Sequence, residues 1–343
     1  MKSSLYILLY FYIYFKFYFI PLSYIINKKM KKSFVKYFEL ICCLLCILFI
    51  ILLPKETILG VKTGINLVLY SMIPSLLPFI LIINILIKKK LCNIISKFFY
   101  PILKHIFKAS QFSSFIIICG FLSGYPLGCK TIFEGLKNNL ISEDEAKKLL
   151  TFCNNPSISY VINYVSYLCL DSYFKNSIVI MFIFLPPIIT GIINSHLFFS
   201  KQQVNICNTD NNSSISVLNN TVSSLIKIGM YIIIFTTINA WLSIFISNDN
   251  IPLNIITSFM EIISGSKYVS QLSLSTIHKL FTLCIFSITG GICIFIQSIS
   301  FLPSKSYIKY YIIGKIESLL IFCILFYIYF NYKTIFNFII SLL

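Results

Sequence analysis

The sequence predicts an all-α, polytopic membrane protein of two inverted-topology repeats with re-entrant or broken helices. Three observations predict it. Hydrophobic residues make up 57% of the 343 positions and charged ones only 11%, whereas a soluble domain carries about a quarter charged residues. Several apolar runs exceed the roughly 20 residues needed to cross a bilayer. Two shorter apolar pieces, 112–124 and 251–263, end at glycine-containing breaks.

The elements follow in chain order. Residues 1–36 form an N-terminal extension. Its aromatic-rich run over 5–26 is interrupted by Lys16, and no small-residue cleavage site follows. "MKKSFVKYF" from Met30 reads like a natural start, so residues 1–29 are an extra helix or an upstream extension, and the second is preferred. Spans are expected near 37–54, 64–87, 153–170, 176–199, 221–247, 276–300 and 308–330. The lysine-rich amphipathic stretch 88–108 belongs along the membrane surface. "ISEDEAKKLL" opens on a capping box, Ser142 with Glu145, and predicts a cytoplasmic amphipathic helix. The polar stretch 201–220 reads as a flexible linker by composition.

Lysine clusters at Lys31, Lys32 and Lys36, at Lys88, Lys89 and Lys90, and at Lys305 and Lys309 fall on one side if 112–124 and 251–263 are re-entrant. That side is then the cytoplasm. Residues 37–170 become a first repeat, 171–220 a span plus polar cytoplasmic linker, and 221–343 a second repeat with a C-terminal span. Laying Gly128-Cys129-Lys130 over Gly265-Ser266-Lys267 also lays Cys153-Asn154 over Gly290-Gly291. Inverted repeats with helices broken at mid-membrane are the pattern of secondary transporters.

The formal charge of +17 does not indicate nucleic-acid binding, because all 28 basic residues are lysine and they cluster between spans. Cys43 and Cys46 lie in an apolar run, where thiols are small apolar side chains. No histidine completes a metal site with them, and neither metal nor cofactor is expected. Nothing pairs a nucleophile with a base, so an enzyme is not expected.

The candidate site lies at the breaks. Gly124, Tyr125 and Pro126 should free backbone N–H groups, which attract anions, and Lys130 would add charge. Gly265, Ser266 and Lys267 repeat the arrangement. Asn154 and Asn155 offer amides beside Pro156, although an ordinary helix start explains them as well. Glu261 is an intramembrane acid, able to balance or couple charge or to form a structural ion pair with Lys130 or Lys267. Gln297 is polar within apolar sequence. Lys315 and Glu317, two apart, do not share a helix face, and either could snorkel.

"GFLSGYPLGCKTIFEGLKNNLISEDEAKKLLTFCNNPS", with "MEIISGSK", "GGICIFIQS" and "YYIIGKIESLL", resembles the sporulation integral membrane protein YlbJ family, which carries nucleoside-recognition (Gate) domains. The resemblance runs from about residue 37 to 330. It makes the two repeats Gate-like and matches Glu261, Gly265, Gly290, Gly291 and Gln297 to the family pattern. It departs at Pro156-Ser157-Ile158, where the family has Ser-Gly-Pro. It implies a multi-pass protein of the outer forespore membrane, on the mother-cell side, moving dipicolinic acid, a small planar anion, out of the mother cell. Expected partners are that metabolite and the lipid bilayer, with a second copy of the chain left open. A non-transporting sporulation assembly factor and a nucleoside-type carrier are the alternatives.

Overall fold

The computed structural model describes residues 32–89, 91–197, 214–245 and 251–342, all helical or irregular, with no strand among them. The N-terminal stretch 1–29 and most of the polar linker lie outside the described residues. Helix α1 runs Lys32–Leu52 and α2 runs Pro54–Leu67. The expected loop between the first two spans is absent. Pro54 stands in the first turn, where its missing N–H costs nothing, and Glu56 favours the N-terminal dipole end. A π-helical turn, Val68–Met72, leads into α3, Ile73–Lys88, so that one helical rod covers Pro54–Lys88. Pro74 gives a cause for the wide turn: it has no N–H for the carbonyl of Tyr70, and Ile73 N–H reaches back to Val68 O instead.

Helix α4, Cys92–Phe107, meets α5, Gln111–Leu122, at 90°. On α4 the stripe Ile94, Phe98, Ile102 is exposed beside Lys97 and Lys104, as a helix lying in a membrane surface requires. The corner is held by α7, Glu143–Leu150. Lys148 donates to the carbonyls of Phe107 and Lys108 at the end of α4, at 3.2 and 3.0 Å. Glu145 accepts from Ser110 N–H, at 2.8 Å, where α5 begins. Each charge sits at the helix end of opposite dipole sign. Ser142 caps α7 as expected, but Glu145 is spent on the corner and does not close a reciprocal box.

Helix α6 is Leu127–Lys137. The expected span 153–170 is an irregular segment followed by a second π-helix, Tyr160–Cys169. Helix α8 is Asn176–Leu197 and α9 is Ser214–Phe245, which starts seven residues before the expected span. The chain continues through α10 (Ile251–Ser258), α11 (Ile262–Gln271), α12 (Thr276–Thr289), α13 (Gly291–Ile299) and α14 (Ile308–Leu342). The expected span 276–300 is broken at Gly290, and "GSK" lies inside α11 rather than at a turn.

Gly60 and Gly64 let α2 press on α9, where an added Cβ would meet Thr237 and Ile233 backbone atoms at 2.5 and 2.7 Å. Lipid tails are as apolar as leucine, so such close packing, not water exclusion, holds spans together. The interior has two buried clusters, one around α3, α5, α6 and α7 and one around α8, α12 and the second π-helix, with Phe121 and Phe259 packed against both. Leu44, Ile51, Leu59, Ile226 and Leu320, all exposed, leave an apolar outer surface that suits lipid and not water.

Candidate functional site

Four helix breaks converge in the interior, and they pair. The α5–α6 break, residues 123–126, crosses the segment 151–157 that follows α7. There the Cys153 carbonyl fits between Gly120 and Gly128, where an added Cβ would stand 2.0 and 1.9 Å from its oxygen. Gly124 has φ +85°, and its missing Cβ leaves room for Ser157, 2.8 Å away. The Asn154 side chain ties the crossing. Its Oδ1 accepts from Cys129 N–H at 3.4 Å, and its Nδ2 donates to Ser298 Oγ at 2.8 Å and Tyr311 OH at 3.3 Å. Among the described residues Asn155 donates to Phe152 O alone, at 2.7 Å, which closes its own turn.

The α10–α11 break, 259–261, crosses the α12–α13 break in the same manner. Ile292 and Cys293 N–H donate to the carbonyls of Phe259 and Met260 at 3.1 and 3.0 Å. Gly290 and Gly291 adopt φ +83° and +67°, a region that favours glycine. Tyr125 joins the two crossings, its hydroxyl within 3.0 Å of Ser287 O and 2.9 Å of Ile288 O at the end of α12.

A cavity of about 390 Å³ lies beside this junction. Gly124, Tyr125, Glu261 and Gln297 line it, so it brings together four of the eleven residues singled out from the sequence. Ser123, Ser157, Tyr160, Asn163 and Tyr164 supply further polar wall, and Ile228, Ile232 and Ile262 the apolar part. Both π-helical segments contribute, through Tyr70–Met72 and through Tyr160–Tyr164. Tyr160 and Tyr164 stack at 5.5 Å, and Tyr164 OH donates to Ile263 O at 2.7 Å. Sequence reasoning missed this wall, though Ser157, Tyr160 and Tyr164 already stand at helical spacing.

The other residues lie elsewhere. Pro126 precedes α6 and does not reach the cavity wall. Lys130 is buried but neutralised on its own helix, with Nζ 3.5 Å from Glu134 Oε1 and 3.3 Å from Asn84 Oδ1. Lys267 is exposed and outside the wall. Gly265 packs on Ser258 O, and Ser266 Oγ touches the cavity residue Tyr160 at 3.3 Å.

Nor are the expected N–H groups of Leu127, Cys129 and Lys130 free. Leu127, Cys129 and Lys130 donate to Gly124 O, Asn154 Oδ1 and Pro126 O. Glu261 caps α11, accepting from Ile263 N–H at 3.0 Å and from Ser264 N–H and Oγ at 2.8 Å each. It pairs with neither Lys130 nor Lys267 among the described residues. The wall therefore offers hydroxyls, amides, aromatic rings and one carboxylate. No basic residue is among its described lining.

Over 113 residues the chain is 27% identical to the sporulation integral membrane protein YlbJ of Bacillus subtilis (strain 168), a match covering 33% of this chain and 28% of that protein. No family model and no solved structure matches. Five described helical stretches, Pro54–Lys88, Asn176–Leu197, Leu218–Phe245, Thr276–Ile299 (interrupted at Gly290) and Lys305–Asn331, are long and apolar enough to cross a bilayer. With an integral membrane relative beside that count, the chain is a multi-pass membrane protein.

Proposed function

We propose that this chain is a sporulation membrane transporter that passes a small, flat, polar solute through the cavity at the junction of its broken helices. The carrying observation is that cavity: polar groups from five separate segments face one space, open on one side, within an apolar bundle. Intramembrane backbone leaves the helical pattern only where protein or water surrounds it, and solute sites are built at such places. The two crossings are the centres of two inverted repeats in this reading, 37–170 and the second within 221–343. Each crossing pairs a glycine-permitted break with a neighbouring carbonyl, which supports the pairing.

The solute implied by the family resemblance is dipicolinate, exported from the mother cell across the outer forespore membrane. A wall without basic residues then requires its carboxylates to be held by hydroxyl and amide donors such as Ser157, Tyr160 and Gln297. Its charge must be compensated by protons or a bound cation. The same wall favours a second reading, a carrier of an uncharged planar solute of the nucleoside type. Uptake into vesicles containing only the purified full-length protein separates them. Labelled dipicolinate should enter, and Tyr160→Ala should reduce entry at least tenfold. Uptake of a labelled nucleoside alone would establish the second reading. If neither solute enters, transport of either class fails and an assembly role takes its place.

A further inference from the structure

Lys315 enters the junction from α14. The half-buried side chain points inward, and its Nζ lies 2.9 Å from Tyr125 Oη, 2.6 Å from Asn154 O and 2.8 Å from Ile288 O. An ammonium has three N–H donors, and three oxygens receive them. A neutral amine would turn a lone pair toward one of these acceptors. Tyr125 spends its own proton on the carbonyls of Ser287 and Ile288, so its oxygen is an acceptor toward Lys315.

Two of the oxygens are backbone carbonyls beside breaks. Ile288 O belongs to the C-terminal turn of α12, just before the Gly290 break, and Asn154 O to the irregular segment after α7. Carbonyls at the C-terminal ends of broken helices carry the negative side of the peptide dipole and coordinate small cations in transporters. Among the described residues no carboxylate pairs with Lys315. Glu317, two residues on, is engaged by Asn194 Nδ2 at 2.6 Å.

We propose that Lys315 is a tethered cation. From a membrane-spanning helix, its ammonium fills a monovalent-cation site made by one oxygen from each of three breaks, and so clamps the two crossings together. Removing the side chain should leave an oxygen-lined vacancy that a small free cation can occupy. The gap left by Lys315→Ala suits methylammonium and excludes choline by size.

The test is thermal unfolding of the purified full-length protein in detergent at fixed ionic strength. Lys315→Ala should melt about 5–10 °C below the parent in choline chloride. Millimolar methylammonium chloride should restore at least half of that loss, saturably, and leave the parent unmoved. Lys315→Met, whose side chain fills the space, should lose stability without rescue. A merely packing role predicts the reverse order, with Met tolerated and no cation effect. Equal melting of Lys315→Ala and the parent, or equal effects of methylammonium and choline, overturns the proposal. If Lys315→Ala does not purify folded in choline, purification in methylammonium decides: recovery there alone supports the site, and failure in both salts overturns it.

Discussion

Gly128→Ala puts the crossing of broken helices to a quantitative test. The new Cβ would stand 1.9 Å from Cys153 O, 2.8 Å from its carbonyl carbon and 3.0 Å from Asn154 Cα. Carbon and carbonyl oxygen approach to about 3.3 Å at closest, so the oxygen must retreat by roughly 1.4 Å. Those atoms are backbone, and Asn154 pins them through Ser298, 2.8 Å away, and through the Lys315 contact at 2.6 Å. Overpacking costs about 1–3 kcal/mol, and disturbing two hydrogen bonds adds about 1 kcal/mol each. Alanine regains about 1 kcal/mol of helix propensity over glycine. The net loss is about 2–4 kcal/mol, read as a melting temperature at least about 5 °C lower in detergent. Gly229→Ala is the matched control. It too lies within a helix, but its Cβ would meet side-chain atoms of Met72 and Val68 at 3.3 Å, and the methionine end can yield. It should be neutral or stabilising by up to about 1 kcal/mol. Equal effects of the two substitutions would refute the tight seating of Cys153 O.

Three further outcomes follow from the charged residues. Burial pushes the Lys148 ammonium below the ordinary lysine range, with the Glu145 carboxylate pulling it partly back. The folded chain then releases that proton at lower pH than the unfolded chain, so this group's contribution grows as pH rises toward the ordinary lysine value and shrinks as pH falls. Melting curves of the parent and Lys148→Met across that alkaline window should therefore diverge in the parent's favour. Lys267→Ala should change stability by less than about 0.5 kcal/mol, as at an ordinary surface position, and leave uptake intact. Lys130→Met strips Asn84 and Glu134 of a partner and should cost about 1–3 kcal/mol in the same melting assay.

Composition together with apolar runs of spanning length made the all-helical membrane class legible, because 57% hydrophobic and 11% charged residues do not suit a water-facing surface. The break marked by glycine and proline at Gly124–Pro126 was equally legible, whereas Gly290 reads as lying inside an unbroken span, 276–300. The break at 259–261 has neither residue, and its only signal is Glu261, a helix-capping acid that sequence reading took for a charge to be balanced or coupled. The π-helical turn at Val68–Met72 left a fainter trace in Pro74. Lys130 drew attention as an intramembrane charge, yet Glu134 four residues on was its partner in plain view. Lys315 could not be placed from sequence, since its three acceptors come from residues 125, 154 and 288.

These differences have one physical origin. A bilayer supplies no water to a freed amide, so a break must be satisfied by the protein itself. Here several donors in the first turns are taken by the protein: Gly124 O, Pro126 O, Asn154 Oδ1, Glu261, Phe259 O and Met260 O accept from N–H groups of α6, α11 and α13. The carbonyl oxygens that the breaks expose at Ser287, Ile288 and Asn154 are met by Tyr125 and Lys315. A glycine-rich break in an apolar run therefore does not by itself make an anion site. Its sign depends on which end of which helix remains unpaired after the crossing forms. In this chain the carbonyls at the junction draw in Lys315, so the half-buried lysine beside the cavity serves the protein's own backbone, and the cavity wall presents hydroxyls and amides instead.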